Sequence, residues 1–342
     1  MPGLDVEESR VVFDLLSLAW RAGPGGCMSA HALSAPTRMS WSDGLCIAGV
    51  VIIWGLNFVV MKWGLRGLSP MLLGALRFTV ASLPFLLFVR RPAVSWKYVV
   101  AYGLVQGIGQ FGLLFTALAY GMTAGVASVV MQTQALFTLL LAVPLLGERG
   151  APAQWLGLGI AAAGLVAIAS AHGEGPGQMT LVGFLLTLGA AFMWAVSNLV
   201  VRLAGNTGAR YDPLAFIVWS SAVSLPPFYG LAVAVDGADA TVAGLLGIDW
   251  QEGLAVLFLG LLATLLAYTL WTRLLQRHSA GRVSPFSLLV PVVGLWAAAV
   301  AFDERLQPVQ WLGVAGILLG LATNQLAVRR QMRRYRPQAA RR

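Results

Sequence analysis

Two stretches of this chain are copies of one another. Residues 124–168 and 280–324 align without a gap at a constant offset of 156. Ala124, Gly125, Ser128, Glu148, Arg149, Pro152, Gln154, Trp155, Leu156, Gly157 and Gly164 all recur in the second copy. Small residues repeat by chance in apolar helices, but Glu-Arg, Pro and Gln-Trp-Leu-Gly in one register do not. Each copy reads as an apolar helix, a short Glu-Arg loop with a proline, and a second apolar helix. The duplication limits the chain to architectures built from two equivalent halves, and internal repeats in an apolar chain point to a transporter.

Composition sets the solvent. Hydrophobic residues make up 58% and charged residues 11%, with a mean hydropathy of +0.76, whereas soluble domains carry about 25% charged residues. The formal charge of +9 does not indicate nucleic acid, because the basic residues sit at the ends of apolar runs and in the C-terminal tail. The two cysteines, Cys27 and Cys46, do not make a disulfide framework.

Ten apolar runs follow from Trp41, near 44–61, 69–89, 97–119, 124–145, 153–170, 179–201, 212–234, 253–272, 283–302 and 308–328. Each is close to the ~17–25 residues a helix needs to cross the hydrocarbon. The expected fold is an all-α membrane protein of ten transmembrane helices, in two five-helix repeats at 39–170 and 179–328 with a basic tail at 329–342. Residues 1–38 stand apart. Their apolar run, Val11–Trp20, follows an acidic segment and is too short to span. They read as an extension upstream of a true start at Met39, with a disordered tail or a surface helix as the alternatives.

Lys and Arg fix the orientation. One face gathers 19 of the 23, at positions such as Arg90, Arg149, Arg202, Arg273, Arg277, Arg282 and along the tail. The other holds Lys62, Arg66 and Arg305, and Arg77 lies inside a run. Both termini are therefore expected in the cytoplasm. An odd number of helices per half turns the second half upside down, the arrangement that exposes one central site to either side in turn.

Polar residues inside the runs are the candidates for that site, because unsatisfied polar groups in lipid are costly. Trp54 with Asn57, and Trp194 with Asn198, share helix faces at corresponding places in the two halves. Both pairs read as cavity lining or, equally, as packing and interhelical glue. Arg77 reads as a guanidinium for a substrate carboxylate, or as one that snorkels or bonds backbone carbonyls. Gln106 and Gln110 share a face. Gln132 and Gln134 lie about 200° apart on a helix, so at most one is expected in the cavity. Tyr268, Trp271 and Ser287 are further candidates. Glu148 and Glu304, beside Arg149 and Arg305, read as local ion pairs and helix-end charges. His31, His172 and His278 form no metal pair, and no Walker loop is present. No cofactor is expected, and the chain is not expected to be an enzyme.

These residues resemble the EamA family of the drug/metabolite transporter superfamily over about 39–330. The resemblance rests on Trp54–Val60, Leu76-Arg-Phe78, Gln110-Phe111, Gly121–Ser128, the Gln132/Gln134 pair, Ser287–Gly294 and Asp303–Leu306. It is strongest to a subgroup exporting O-acetylserine and cysteine, whose pattern matches at Asn57, Arg77, Gln110, Gln132, Gln134, Trp194, Asn198, Trp219, Tyr268 and Trp271. It implies efflux of small amino-acid metabolites across a bacterial inner membrane. The site itself rests on burial cost: Arg77 is expected to hold a carboxylate, Asn57, Gln110 and Asn198 to bond polar groups, and Trp54, Trp194 and Tyr268 to shape the wall, with Gln132 a further substrate-binding candidate. The expected partners are a small, zwitterionic molecule and the lipid bilayer. An exporter of aromatic or drug-like compounds is the alternative, with a membrane enzyme or passive pore behind it.

Overall fold

The computed structural model describes residues 39–146, 150–173, 178–205, 207, 211–278 and 280–339. The expectations for 1–38, and for Glu148 and Arg149, lie outside them. The described residues are helical, with no strand. They form α1 (Trp41–Gly64), α2 (Pro70–Leu86), α3 (Trp96–Ala119), α4 (Ala124–Leu145), α5 (Pro152–Ser170) and α6 (Leu181–Gly205). After these come α7 (Pro213–Asp236), α8 (Ala238–Leu246), α9 (Trp250–Leu275), α10 (Ser284–Phe302) and α11 (Pro308–Arg330).

Nine of these helices are long and apolar enough to cross a membrane. The exceptions are α8 and α2. The first has nine residues, between the apolar runs 212–234 and 253–272, and α2 has 17 residues, roughly 25 Å of helix. It is nonetheless packed into the bundle against α7, where Gly74 lets the Phe228 ring approach and Phe78 stacks on that ring at 5.6 Å.

Helix starts follow local chemistry. Ser40 and Asp43 form a capping box at α1, and Asp249 and Glu252 form another at α9. Ser69 and Asp212 accept from the first-turn amides of α2 and α7, each just before a proline. These side chains satisfy amides that have no partner within the helix. The duplicated motif has its own device. Gln154 Oε1 accepts from Ala151 N–H at 2.8 Å, and Gln310 Oε1 accepts from Gln307 N–H at 2.9 Å.

Four interruptions fall at corresponding places in the two halves. The π-helical turns Gly103–Gly112 and Phe258–Leu266 lie within α3 and α9, and the 3₁₀ turns Met131–Thr133 and Ser284–Leu289 lie within α4 and α10. π turns inside α-helices frequently mark functional sites. At the start of α1, the buried His278 Nε2 lies 3.0 Å from Asp43 Oδ2, so this histidine ties two helices together rather than sitting apart from the bundle.

Candidate functional site

A cavity of about 720 Å³ lies between the halves, within the range of small-molecule sites. All eight candidates, Trp54, Asn57, Arg77, Gln110, Gln132, Trp194, Asn198 and Tyr268, line it. Trp271 and Ser287 join them, while Trp219 does not. Its indole N–H donates to the Val89 carbonyl at 3.1 Å and its ring packs on Trp96.

Arg77 is 1% exposed. That burial rules out snorkelling, and the residue does not bond backbone carbonyls. Its Nε donates to Thr264 Oγ1 at 2.9 Å, and its guanidinium lies 3.8 Å from the Phe111 ring centroid. Phe111 belongs to the π turn of α3 and Thr264 to that of α9, so the two irregular segments hold the cation between them. Nη1 has no hydrogen-bond partner among the described residues.

Asn57 Oδ1 and Gln110 Oε1 are likewise buried and unpartnered. Three side chains lining one cavity thus present a donor and two acceptors that the fold does not use. Native folds pair most buried polar atoms, so such a group reads as a binding surface. Among the described lining residues none is Asp or Glu.

The aromatic wall is built from both halves. Trp54 lies 5.1 Å from Tyr268 and 5.4 Å from Trp271, centroid to centroid, and its N–H donates to the Ala263 carbonyl at 3.2 Å. Gln106 faces away from the main cavity. It donates to Tyr268 Oη at 3.0 Å and accepts from Ser197 Oγ, bracing the wall from behind.

Gln132 and Gln134 correct the sequence reading, since both line the cavity. The 3₁₀ turn at Met131–Thr133 changes the winding between them, and the cavity wraps around α4. Gln132 Nε2 donates to the Ser287 carbonyl at 3.3 Å, and Gln134 Oε1 accepts from Asn198 Nδ2 at 2.6 Å. Glu304 is a second correction. Arg305 pairs instead with Asp303, at 3.2 Å, while Glu304 reaches Lys62 Nζ at 2.8 Å. Its two oxygens also accept from Ala124 N–H at 3.0 Å and Gly125 N–H at 2.9 Å.

The cavity's two ends differ. Its lining continues past Gln154, Thr272, Asn324 and Val328 to the exposed Val201 and Arg202. It stops short of the opposite end, where Glu304 joins α1 to the start of α4. There Gly294 packs so closely on Ser128 that a Cβ would lie 2.5 Å from its Oγ. Thr264, Ser197 and Thr138 are absent from the sequence candidates, because a hydroxyl can be satisfied by its own helix backbone and so carries a weaker signal than an amide or a charge. Asn324 did carry a signal, as an amide inside the last run; it accepts from Gln154 Nε2 at 3.1 Å.

The EamA-like transporter family model matches residues 42–170 and again 181–324. The chain belongs to the EamA-like transporter family. A protein of Escherichia coli K12 named "Probable amino-acid metabolite efflux pump" is 38% identical over 85% of this chain and 97% of its own. A Salmonella typhimurium protein of the same name is 40% identical over the same shares. A Streptantibioticus cattleyicolor protein named "Probable terminal-alkyne amino-acid exporter" is 29% identical over 84% of this chain and 93% of its own. A solved crystal structure at 22% identity, covering 84% of this chain and 97% of its own, has a TM-score of 0.52 and shares the fold. This EamA-like chain is therefore a multi-pass membrane protein and a small-molecule transporter.

Proposed function

We propose that this transporter exports small zwitterionic amino-acid metabolites, such as O-acetylserine and cysteine, across a bacterial inner membrane by alternating access. The observation that carries the proposal is Arg77, a buried cation in a cavity whose described lining holds no carboxylate, with Nη1 unpartnered. A substrate carboxylate completes that site, as a charge-assisted bond to a guanidinium. Asn57 Oδ1 and Gln110 Oε1 offer acceptors to an ammonium group, and the faces of Trp54, Trp194 and Tyr268 add cation–π attraction. Gln132 and Asn198 border the same space. The relatives named for amino-acid export support this cargo class.

Ten crossings in two inverted halves, 39–170 and 179–328, are supported by the doubled family match and by the corresponding positions of the irregular turns. On the Lys and Arg count both termini are cytoplasmic, and the cavity mouth beside Arg202 faces the cytoplasm. The cycle loads cargo there, closes that end and parts the end held by Glu304. The aromatic wall favours a second reading, export of aromatic compounds.

The test is uptake of labelled O-acetylserine and cysteine into everted vesicles, beside Arg77→Ala at equal abundance. Uptake by wild type that falls at least about tenfold in the variant, the worth of a bond to a charged group, is the expected result. Undiminished uptake in the variant removes Arg77 from recognition. No uptake by wild type of either compound, with broad uptake of aromatics, moves the cargo to the second reading.

A further inference from the structure

We infer that Thr264 is the positioning residue that aims Arg77, and that it sets the preference for a free carboxylate over its ester. The inference rests on the reading of Arg77 as the carboxylate site. Thr264 Oγ1 donates its proton to the Leu259 carbonyl at 2.7 Å. A hydroxyl has one proton, so toward Arg77 the oxygen can only accept, and it takes the Nε–H at 2.9 Å.

The winding of α9 makes this possible. Other hydroxyls that bond their own helix reach the carbonyl three or four residues back, as Ser128 does to Gly125, Thr79 to Ala75 and Thr187 to Gly183. Thr264 instead reaches five residues back, inside the π turn Phe258–Leu266. The wider turn brings its oxygen to Arg77, while the carbonyl of the preceding Ala263 accepts from Trp54. Two adjacent residues of the second half thus fix the cation and one wall of the site, both supplied by the first half.

With Nε tied to Thr264 and the ring of Phe111 on one face, the guanidinium is held at two of its sides. That leaves Nη1, buried and without a hydrogen-bond partner among the described residues, on a side chain that lines the cavity. Pre-set orientation of a donor lowers the entropy lost when a ligand binds.

The experiment uses the full chain in proteoliposomes, with cysteine and its methyl ester as probes. It compares wild type, Thr264→Val, which keeps the shape but cannot accept, and Thr264→Ser, which keeps the oxygen. For Thr264→Val the half-saturating cysteine concentration is expected to rise about tenfold at near-constant maximal rate. The acid-to-ester preference is expected to fall by a similar factor, and serine is expected to restore both. If valine lowers abundance, Thr264→Ala with abundance-normalised preference reads the same quantity. A loss of maximal rate shared by acid and ester, or a preference unchanged by valine or alanine, overturns the inference while Arg77 stands. A wild-type protein that does not distinguish acid from ester overturns both.

Discussion

Glu304 is a carboxylate with a side chain only 6% exposed. An unpaired buried charge costs several kcal/mol. Here the cost is offset by an ammonium and two amides at a helix start, where the dipole also favours negative charge. Lys62 is 29% exposed and can turn to water if its partner is lost, so the helix-start bonds matter more than the ion pair. Glu304→Gln is expected to destabilise the protein by about 1–3 kcal/mol, and Lys62→Met by less. Thermal melts of the purified chain check the order; equal losses, or a larger loss for Lys62→Met, contradict it. The sequence marked Glu304 as structural through its recurrence, but assigned it the wrong partner. The neighbour in sequence is Arg305, while the partners in space lie some 180 and 242 positions away. Pairing at that range leaves no local trace. Arg77 was legible because a buried cation in an apolar run is costly wherever it lies.

At the scale of helices, α5 and α11 meet through the repeated glycines. A Cβ on Gly157 would lie 2.6 Å from the Gly320 carbonyl oxygen, and one on Gly164 would lie 2.6 Å from that of Gly313. At the offset of 156, Gly157 corresponds to Gly313 and Gly164 to Gly320, so the two contacts are each other's images. This is the reciprocity of a two-fold interface, written within one chain. Both clashes are with backbone, which cannot rotate away. Gly164→Leu is expected to cost at least about 1–3 kcal/mol, whereas Gly159→Leu, with open space around it, is expected to be near neutral. The yield of folded protein and its melting temperature distinguish them; equal behaviour would mean the seam is not as tight as described. The recurrence of Gly157 and Gly164 was readable in advance, though not which helices they join. The π and 3₁₀ turns were not, because they arise where one helix adjusts to another, and the glycines of Gly103–Gly112 or Pro285 alone do not specify the winding.

At the scale of the whole molecule, the same offset relates the closed end to the open one. Ser128 corresponds to Ser284, and Gly294 to Thr138. Ser128 and Gly294 touch at the closed end, whereas Ser284 and Thr138 both line the open cavity. On the alternating-access proposal, the second pair meets when the first parts. With Cys27 and Cys46 replaced by serine, Thr138→Cys paired with Ser284→Cys is expected to cross-link during turnover. Transport should stop, and a reductant should restore it. Transport at full rate with no cross-link formed under oxidising conditions would contradict the exchange of ends.

The clasp at Glu304 bears on supply and demand across the membrane. An equilibrium fastening cannot drive flux. On the alternating-access proposal, it can set how long the unloaded carrier waits on each side. Each 1.4 kcal/mol of preference for the state in which Glu304 is engaged shifts the resting ratio about tenfold. The apparent affinity on the less populated side weakens in proportion. A carrier fastened in this way saturates at low concentration on the side its cavity faces and stays unsaturated on the other, so released cargo returns slowly even when it accumulates.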